Sequence, residues 1–441
     1  MFEKQKIKSF DQSRYLEIFI KNSEKYKELE DDSRSVENLI TMGSCYSYVA
    51  AGFKQKSLSI DIKNFNRILF FDKEKKIITV EAGIKIFELL NFTLQHNLWI
   101  PQIPGHPYIS IGGAVASNVH GKSCAFHGTI KNSIQNIKIF HKYHGWLNLN
   151  YEENKEIFDL TIGGLGLTGT IISVTFKLQE LNSLNFLTTV KKVSSIAQTV
   201  NFLELSDDKN LIYSWNIINS TSNLNSFGKG LIFESKTDEK NNLEPYKKLE
   251  CISKKRIFPI NLWNNATIKS FNCLFFIYHK YMKKNLYEDN FSNVIFPFYN
   301  KEIYFSLFGY KGFIESQILI SKEKIHEFLN ELKKYIDYHK PSITIFSLKK
   351  MSGEQKYLRF EDNKICLTID MVRNKKNTHF LNQLYKLYIK YNVIPSIIKD
   401  SNLDKETFNK CYKEADIFRE KLKKFDPKRI YRSDLSDKLN I

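Results

Sequence analysis

Much of this chain's supply of 18 glycines falls in two clusters, Gly105 to Gly128 and Gly163 to Gly169. Glycine gathers where backbone must approach another group closely or adopt positive φ, so these stretches constrain the fold more than any apolar run does. Short β-branched runs surround them. Residues 57–63, 67–71, 77–81 and 170–176 read as strands. Residues 15–40 look helical at first (Tyr15, Ile18, Phe19, Ile20) and then charged, and 84–97 predicts a helix, where Ile86, Leu89, Leu90 and Leu94 share one side. Up to about residue 178 the texture is mixed α/β. From about 180 to 393 glycine thins out and strand-like runs recur at 313–320 and 343–346, which predicts a second lobe. Residues 405–424 return to helix, carrying Phe408, Tyr412 and Phe418.

Composition narrows the class. A chain of 441 residues, 42% apolar and 14% aromatic, fills two to three domains or one large two-lobed enzyme and excludes disorder. The formal charge of +18 raises nucleic acid or an acidic membrane as partner. Yet 57 lysines stand against nine arginines, scattered in ones and twos, which reads as a solvated lysine coat, with weak attraction to acidic lipids or polyanionic substrates as the other reading. A nucleic-acid binder would cluster arginine with stacking aromatics, and no such cluster occurs. Six cysteines (Cys45, Cys124, Cys251, Cys273, Cys366, Cys411) fit neither a zinc site nor a disulfide framework and read as reduced thiols, with no metal expected. Residues 1–10 carry Lys4, Lys6 and Lys8 without the apolar core of a secretory signal, and the most apolar stretch, 273–278, is far short of the ~20 residues that span a bilayer. A cytoplasmic protein is expected.

Several motifs resolve on context. Gly164, Gly166 and Gly169 spell G-x-G-x-x-G, but a β-branched run follows and not a helix, so no helix N-terminus meets a pyrophosphate. Gly121-Lys122-Ser123 imitates the end of a P-loop, but its first glycine position is Ala116. His120 ends a run of small residues from Ser110, a segment bare enough for a planar or phosphorylated ligand to lie against the main chain. A second such loop, Thr41 to Tyr48, follows an apolar strand at 38–40. Together the two loops suit an extended ligand with a diphosphate at its middle.

These residues resemble the vanillyl-alcohol oxidase (PCMH) type of FAD-binding oxidoreductases, and within it the decaprenylphosphoryl-ribose 2′-oxidases, the flavin half of a ribose epimerase. The carrying motifs are Gly43-Ser-Cys-Tyr-Ser, Val80-Glu-Ala-Gly, the run from Pro104 to Lys122, Ile162-Gly-Gly-Leu-Gly-Leu-Thr-Gly, and near the end Ile398-Lys-Asp-Ser, Phe425-Asp-Pro and Ser433-Asp-Leu. The resemblance implies an α+β, two-lobed protein: a discontinuous FAD-binding domain at 1–178 completed by 394–441, and an α+β substrate cap at 179–393 built on an antiparallel sheet. Composition placed the same boundary. The resemblance implies that Gly43, Ser44, Cys45, Tyr46, Ser47, Gly105, Ser110, Ile111, Gly112, Gly113, Ser117, Asn118, Val119, His120, Ile171 and Ser396 line the cofactor. It puts Lys399 beside the flavin and the substrate hydroxyl, Cys366 facing the flavin, and Gln317 in the substrate pocket.

The chain departs from that family where the first loop reads Ser44-Cys-Tyr-Ser-Tyr for Arg-Ser-Tyr-Gly-Asp, and where Glu315, Lys364 and Ser347 replace Gln, Asn and Lys. The flavin half is kept while the pocket is changed. Relatives that bind FAD covalently use a histidine of the first loop, which this chain lacks, so dissociable FAD is expected. The implied activity is oxidation of a sugar secondary hydroxyl, the 2-hydroxyl of a polyprenyl-phosphate pentose, to a ketone by hydride transfer to flavin N5, with Lys399, Tyr46 and His120 as candidates for the polar work. A ketosugar reductase of the short-chain dehydrogenase type would complete an epimerisation for cell-wall or surface-glycan synthesis, and a lipid-linked substrate would give the basic surface a use at the inner face of the membrane. The alternative is an aldonolactone or alditol oxidase of the same fold.

Overall fold

Alternation begins earlier in the chain than expected. In the computed structural model, which describes residues 2–218, 226–238, 247–250, 258–299 and 301–441, residues 15–22 form a strand and not a helix. Ile18 and Ile20 are buried while Tyr15 and Phe19 are exposed, a period of two that only an extended chain produces. Strands β1 (Glu3–Lys8), β2 (Tyr15–Asn22), β3 (Leu39–Met42) and β4 (Leu58–Asp61) make a mixed sheet in the order β1-β2-β4-β3, with β2 and β3 parallel to β4.

Next come β5 (Ile68–Asp72), β6 (Ile77–Glu81), β7 (Leu98–Trp99), β8 (Ile134–His141), β9 (Gly145–Leu149), β10 (Thr170–Lys177) and β11 (Gln179–Glu180). Five of them form an antiparallel sheet, β5-β6-β10-β8-β9, while β7 pairs with β11. The strand β10 is the one expected to follow the G-x-G-x-x-G stretch. The helix expected over 84–97 spans only Ile86–Thr93, tightens into a 3₁₀ turn at Leu94–His96 and stops at Asn97, which adopts φ 57°. The small-residue run after Ser110, expected as open loop, contains a short helix, Ile111–Ala116.

The second half carries β12 (Asn185–Val193), β13 (Leu211–Asn216), β14 (Gly230–Thr237), β15 (Leu286–Asn290), β16 (Phe313–Ile320), β17 (Ile343–Met351), β18 (Lys364–Val372) and β19 (Ile394–Pro395). They form two antiparallel sheets, β13-β14-β12-β15 and β17-β18-β16-β19, bridged where the Leu348 amide donates to Ser214 Oγ at 2.8 Å. Helices Lys322–His339 and Lys375–Tyr391 pack together on the second sheet, burying Phe328, Leu332, Phe380 and Leu384. Each such side chain is worth about 1.5–3 kcal/mol of transfer.

The C-terminus returns to the first half. Tyr431 bridges Leu39 in parallel, the Asp434 amide donates to Phe53 O, and Tyr431 Oη donates to Phe140 O. Residues 405–424, expected as one helix, form two, Lys405–Cys411 and Ala415–Phe425. The break falls at Tyr412, whose buried hydroxyl reaches Pro395 O at 2.6 Å and holds the backbone extended. No disulfide joins the described cysteines, and Cys251 lies outside the described residues. Among the described residues no helix is long and apolar enough to cross a membrane.

Candidate active site

The two glycine clusters meet. The Gly163 amide donates to Val115 O at 3.0 Å and the Leu165 amide to Ala116 O at 2.8 Å, which docks the second cluster on the helix that follows Ser110. A side chain at Gly163 would put its Cβ 2.9 Å from Arg359 Cγ, in a backbone already at φ +75°, so glycine is required. Behind this helix the Gly112 amide holds Ala82 O at 2.7 Å, and the Ile111 amide holds Ile84 O at 2.9 Å. The Thr41–Tyr48 loop leaves β3 and crosses the start of the same helix. A Cβ on Gly43 would lie 2.2 Å from Ser110 Oγ, which receives the Ser44 amide at 3.4 Å.

A cavity of about 920 Å³ opens over these loops and runs beneath the sheets of the second half. That is near the upper end of the ~300–1,000 Å³ typical of ligand sites. Gly43 to Ser47, Gly105, Ser110, Gly112, Gly113, Ser117 to His120, Ile171 and Ser396 all line it. Ile111 does not: its side chain is 1% exposed and turned into the apolar core.

Strands β16, β17 and β18 supply the facing wall, and their register decides which side chains reach it. Glu315 is paired with Asp370, and Gln317 with Thr368, which is paired in turn with Ser347; Ile345 and Lys349 share the β17 face with Ser347. Cys366 and Lys364 stand on the same face of β18 but further along. Neither lines the cavity, because Lys364 pairs with Asp362 at 2.6 Å and Cys366 is fully buried, its thiol pushed up to about 12 by burial. Such a thiol is inert.

Lys399 lies with its Nζ 3.7 Å from the Tyr48 ring centroid and 3.5 Å from Glu315 Oε1. Glu315 and Asp370 are 5% and 2% exposed, an acidic pair facing into the cavity. Burial, and then the Glu315 charge, hold the Asp370 carboxyl well above the usual carboxylate range, so Asp370 keeps its proton. Tyr304 Oη bonds Asp370 Oδ2 at 3.0 Å, while Asp370 Oδ1 and Gln317 Oε1 are buried without a partner among the described residues. His120 lies tilted against Phe360, ring centroids 5.5 Å apart, and burial followed by Lys349 and Lys399 pushes it well below its usual range, leaving a neutral imidazole. Tyr46 is half-buried, its ring 4.2 Å from that of His106.

Sequence reasoning missed the part of the cavity formed by Lys122, Tyr213, Trp215, Phe275, His279, Lys283 and Asp289. It also missed Asp370. The signal for Asp370 was present, since Cys366, Thr368 and Asp370 alternate along one strand, and Lys122 ends the small-residue run that carries His120; for the others no local pattern exists.

Residues 33–145, which contain both loops, match the family described as FAD binding domain. The chain carries an FAD-binding domain. It is an FAD-dependent oxidoreductase. It is 24% identical over 401 residues to decaprenylphosphoryl-beta-D-ribose oxidase of Mycolicibacterium smegmatis, a match covering 87% of this chain and 85% of that protein. It is also 25% identical to L-galactono-1,4-lactone dehydrogenase 2, mitochondrial, of Oryza sativa subsp. japonica, over 35% of this chain and 26% of that protein. L-gulonolactone oxidase of Mus musculus is 28% identical over 30% of this chain and 31% of that protein. The residues present suit the cofactor: the backbone of both loops is bare, and a Cβ at Gly43 would fill the cradle where they cross. When bound, FAD supplies the hydride acceptor.

Proposed function

We propose that the protein oxidises a secondary hydroxyl of a sugar to a ketone, with the 2-hydroxyl of a polyprenyl-phosphate pentose as the substrate class. The observation that carries this reading is the polar wall of Glu315, Gln317, Thr368, Asp370 and Lys399 across the cavity from the flavin-domain loops. A polyol needs several such donors and acceptors, and two buried oxygens there, Gln317 Oε1 and Asp370 Oδ1, have no partner among the described residues.

In this reading residues 1–178 with 394–441 hold FAD without a covalent bond, and 179–393 form the cap. The substrate carbinol loses its hydride while the hydroxyl proton passes to Glu315, leaving a carbonyl. Glu315 is placed for this because it stands beside Lys399 and opposite Asp370, whose carboxyl burial holds well above the usual range, while His120 has its proton affinity depressed. Lys399, beside Glu315, supplies positive charge where electron density accumulates. Gln317 orients a hydroxyl through Oε1, its Nε2 being held by Thr368 Oγ1 at 3.0 Å. Tyr46 packs against the same end of the cavity.

Similarity to the ribose oxidase spans most of both chains, whereas similarity to the lactone enzymes covers about a third of this one, which favours the sugar-phosphate reading over the aldonolactone one. A lipid tail has a surface to follow: the helix Asn265–Ile277 lends Phe271 and Phe275 to the cavity and exposes Leu274 and Ile277 to solvent. In this reading the protein works at a membrane face and a ketosugar reductase consumes the product. The test is anaerobic bleaching of the flavin absorbance by a short-chain alkyl phosphodiester of a pentose and, separately, by L-gulono-1,4-lactone. Bleaching by the pentose with a 2-keto product supports the proposal; bleaching by the lactone alone refutes it.

A further inference from the structure

One end of the cavity, lined by β13, β14, β15 and the helix Asn265–Ile277, gathers positive charge that Asp289 offsets only in part. Lys122 Nζ sits 4.1 Å above the Tyr213 ring and donates to Val294 O; Lys283 Nζ sits 3.4 Å above the Tyr287 ring; Lys301 lies within electrostatic reach of both. Among the described residues no carboxylate comes within ion-pair distance of these three ammoniums. Asp289, an acid within electrostatic reach of Lys122 and Lys283, has its Oδ1 engaged by the Asn290 amide at 3.0 Å and Asn293 Nδ2 at 2.9 Å. His279 adds a second, independent sign. It is 6% exposed, lines the cavity, and its Nδ1 has no hydrogen-bond partner among the described residues.

Gathering ammoniums around one cavity is unfavourable where burial strips their water, as at Lys122, unless an anion joins them. The strain registers on Lys122 itself, which burial and then Lys349 push down to about 7. A phosphodiester carries one negative charge, as a carboxylate does, but presents it on a tetrahedral centre with two charged oxygens and two ester oxygens, so several ammoniums approaching from different sides can share it. We propose that Lys122, Lys283 and Lys301, with Nδ1 of His279, form a subsite for a phosphate group carried by the substrate. The inference rests on the sugar-oxidation reading above and adds to it the group that anchors the sugar. A neutral lactone offers these residues nothing, so the subsite separates the two substrate classes. Lysine serves here as a point charge, which suits a phosphate ester able to turn within the pocket.

The experiment uses the FAD-loaded enzyme and its Lys122→Met, Lys283→Met and Lys301→Met variants, each checked for flavin content. Two quantities are read: the ratio of kcat/KM for a short-chain alkyl pentose phosphodiester over the free pentose, and the affinity for inorganic phosphate by calorimetry. The expected result is a fall in that ratio of roughly tenfold or more in the Lys122 and Lys283 variants, about 1.4 kcal/mol each, with a parallel loss of phosphate affinity. Lys301 is exposed, so its variant gives a reading even where a buried change disturbs folding. An unchanged ratio and unchanged phosphate affinity in flavin-replete variants overturn the proposal. Variants that lose FAD and not phosphate selectivity overturn it too, by assigning the lysines to the cofactor's own diphosphate. Loss of binding to phosphatidylglycerol vesicles with phosphate affinity intact assigns them to lipid headgroups and likewise overturns it. Phosphate binding that depends on the lysines, with neither sugar oxidised, upholds the subsite and refutes the sugar reading instead.

Discussion

Replacing Glu315 by Gln tests the proton acceptor with almost no change of volume. Glu315 Oε1 stands 3.5 Å from Lys399 Nζ, and a unit pair at that separation interacts by about 5 kcal/mol at an effective dielectric near 20. Lys399 keeps 29% of its side chain exposed, so solvent screens the pair and about 2–3 kcal/mol is the reasonable figure. Losing a positioned base removes a further 10²–10⁴-fold from proton transfer. Anaerobic stopped-flow should therefore show flavin reduction slowed by roughly 10²-fold or more, with FAD content unchanged. A second consequence follows from Asp370. Glu315 is the second cause of its raised pKa after burial, so in Glu315→Gln the Asp370 carboxyl falls back towards the usual range. Asp370 then ionises at lower pH and takes over as acceptor, so the residual rate should rise with pH and vanish in Glu315→Gln/Asp370→Asn. Flavin reduction within threefold of the parent enzyme, or a double variant as active as the single, would refute the reasoning.

Other outcomes follow from the same geometry. Gly121→Ala puts a Cβ 2.1 Å from Ile103 O and close to two more backbone atoms of Ile103, so it should cost about 1–3 kcal/mol in thermal unfolding and weaken FAD roughly tenfold by titration. Asp159→Asn removes the nearer of the buried Arg359's two carboxylate partners, at 3.0 Å, and leaves Glu361 at 3.9 Å, at a cost of about 2 kcal/mol in denaturant melts at pH 7. Burial alone would raise the Asp159 carboxyl, but Lys356 and Arg359 outweigh it and hold it below the usual range. Its stabilisation is therefore present above the unfolded value near pH 4 and lost as pH falls, and the gap between parent and variant should close in acid. Alkylation followed by mass spectrometry should label exposed Cys273 first and spare Cys366, whose burial keeps the thiol protonated. Acid precipitation should move the flavin to the supernatant.

What the sequence determined by itself was the backbone's bareness. The glycines at 105–128 and 163–169, and the β-branched run after Gly169, were enough to reject a helix-based dinucleotide site and to mark the loops that meet in space, because small residues and β-branching act locally. Local signals failed where two conformations compete over a few residues. Tyr15 to Ile20 carries apolar residues that satisfy either period, and only pairing with β1 and β4 made it a strand. Likewise Tyr412 broke the last helix by reaching Pro395, a contact no pattern within 405–424 announces. The site's chemistry was tertiary throughout. Glu315 and Asp370 become one acidic pair only through the register of β16 on β18, and Lys122 and Lys283 line one cavity only because distant segments pack together. Burial and proximity of charges set proton affinities, and neither exists until distant segments pack, so the sequence held the residues while the tertiary structure decided their chemistry.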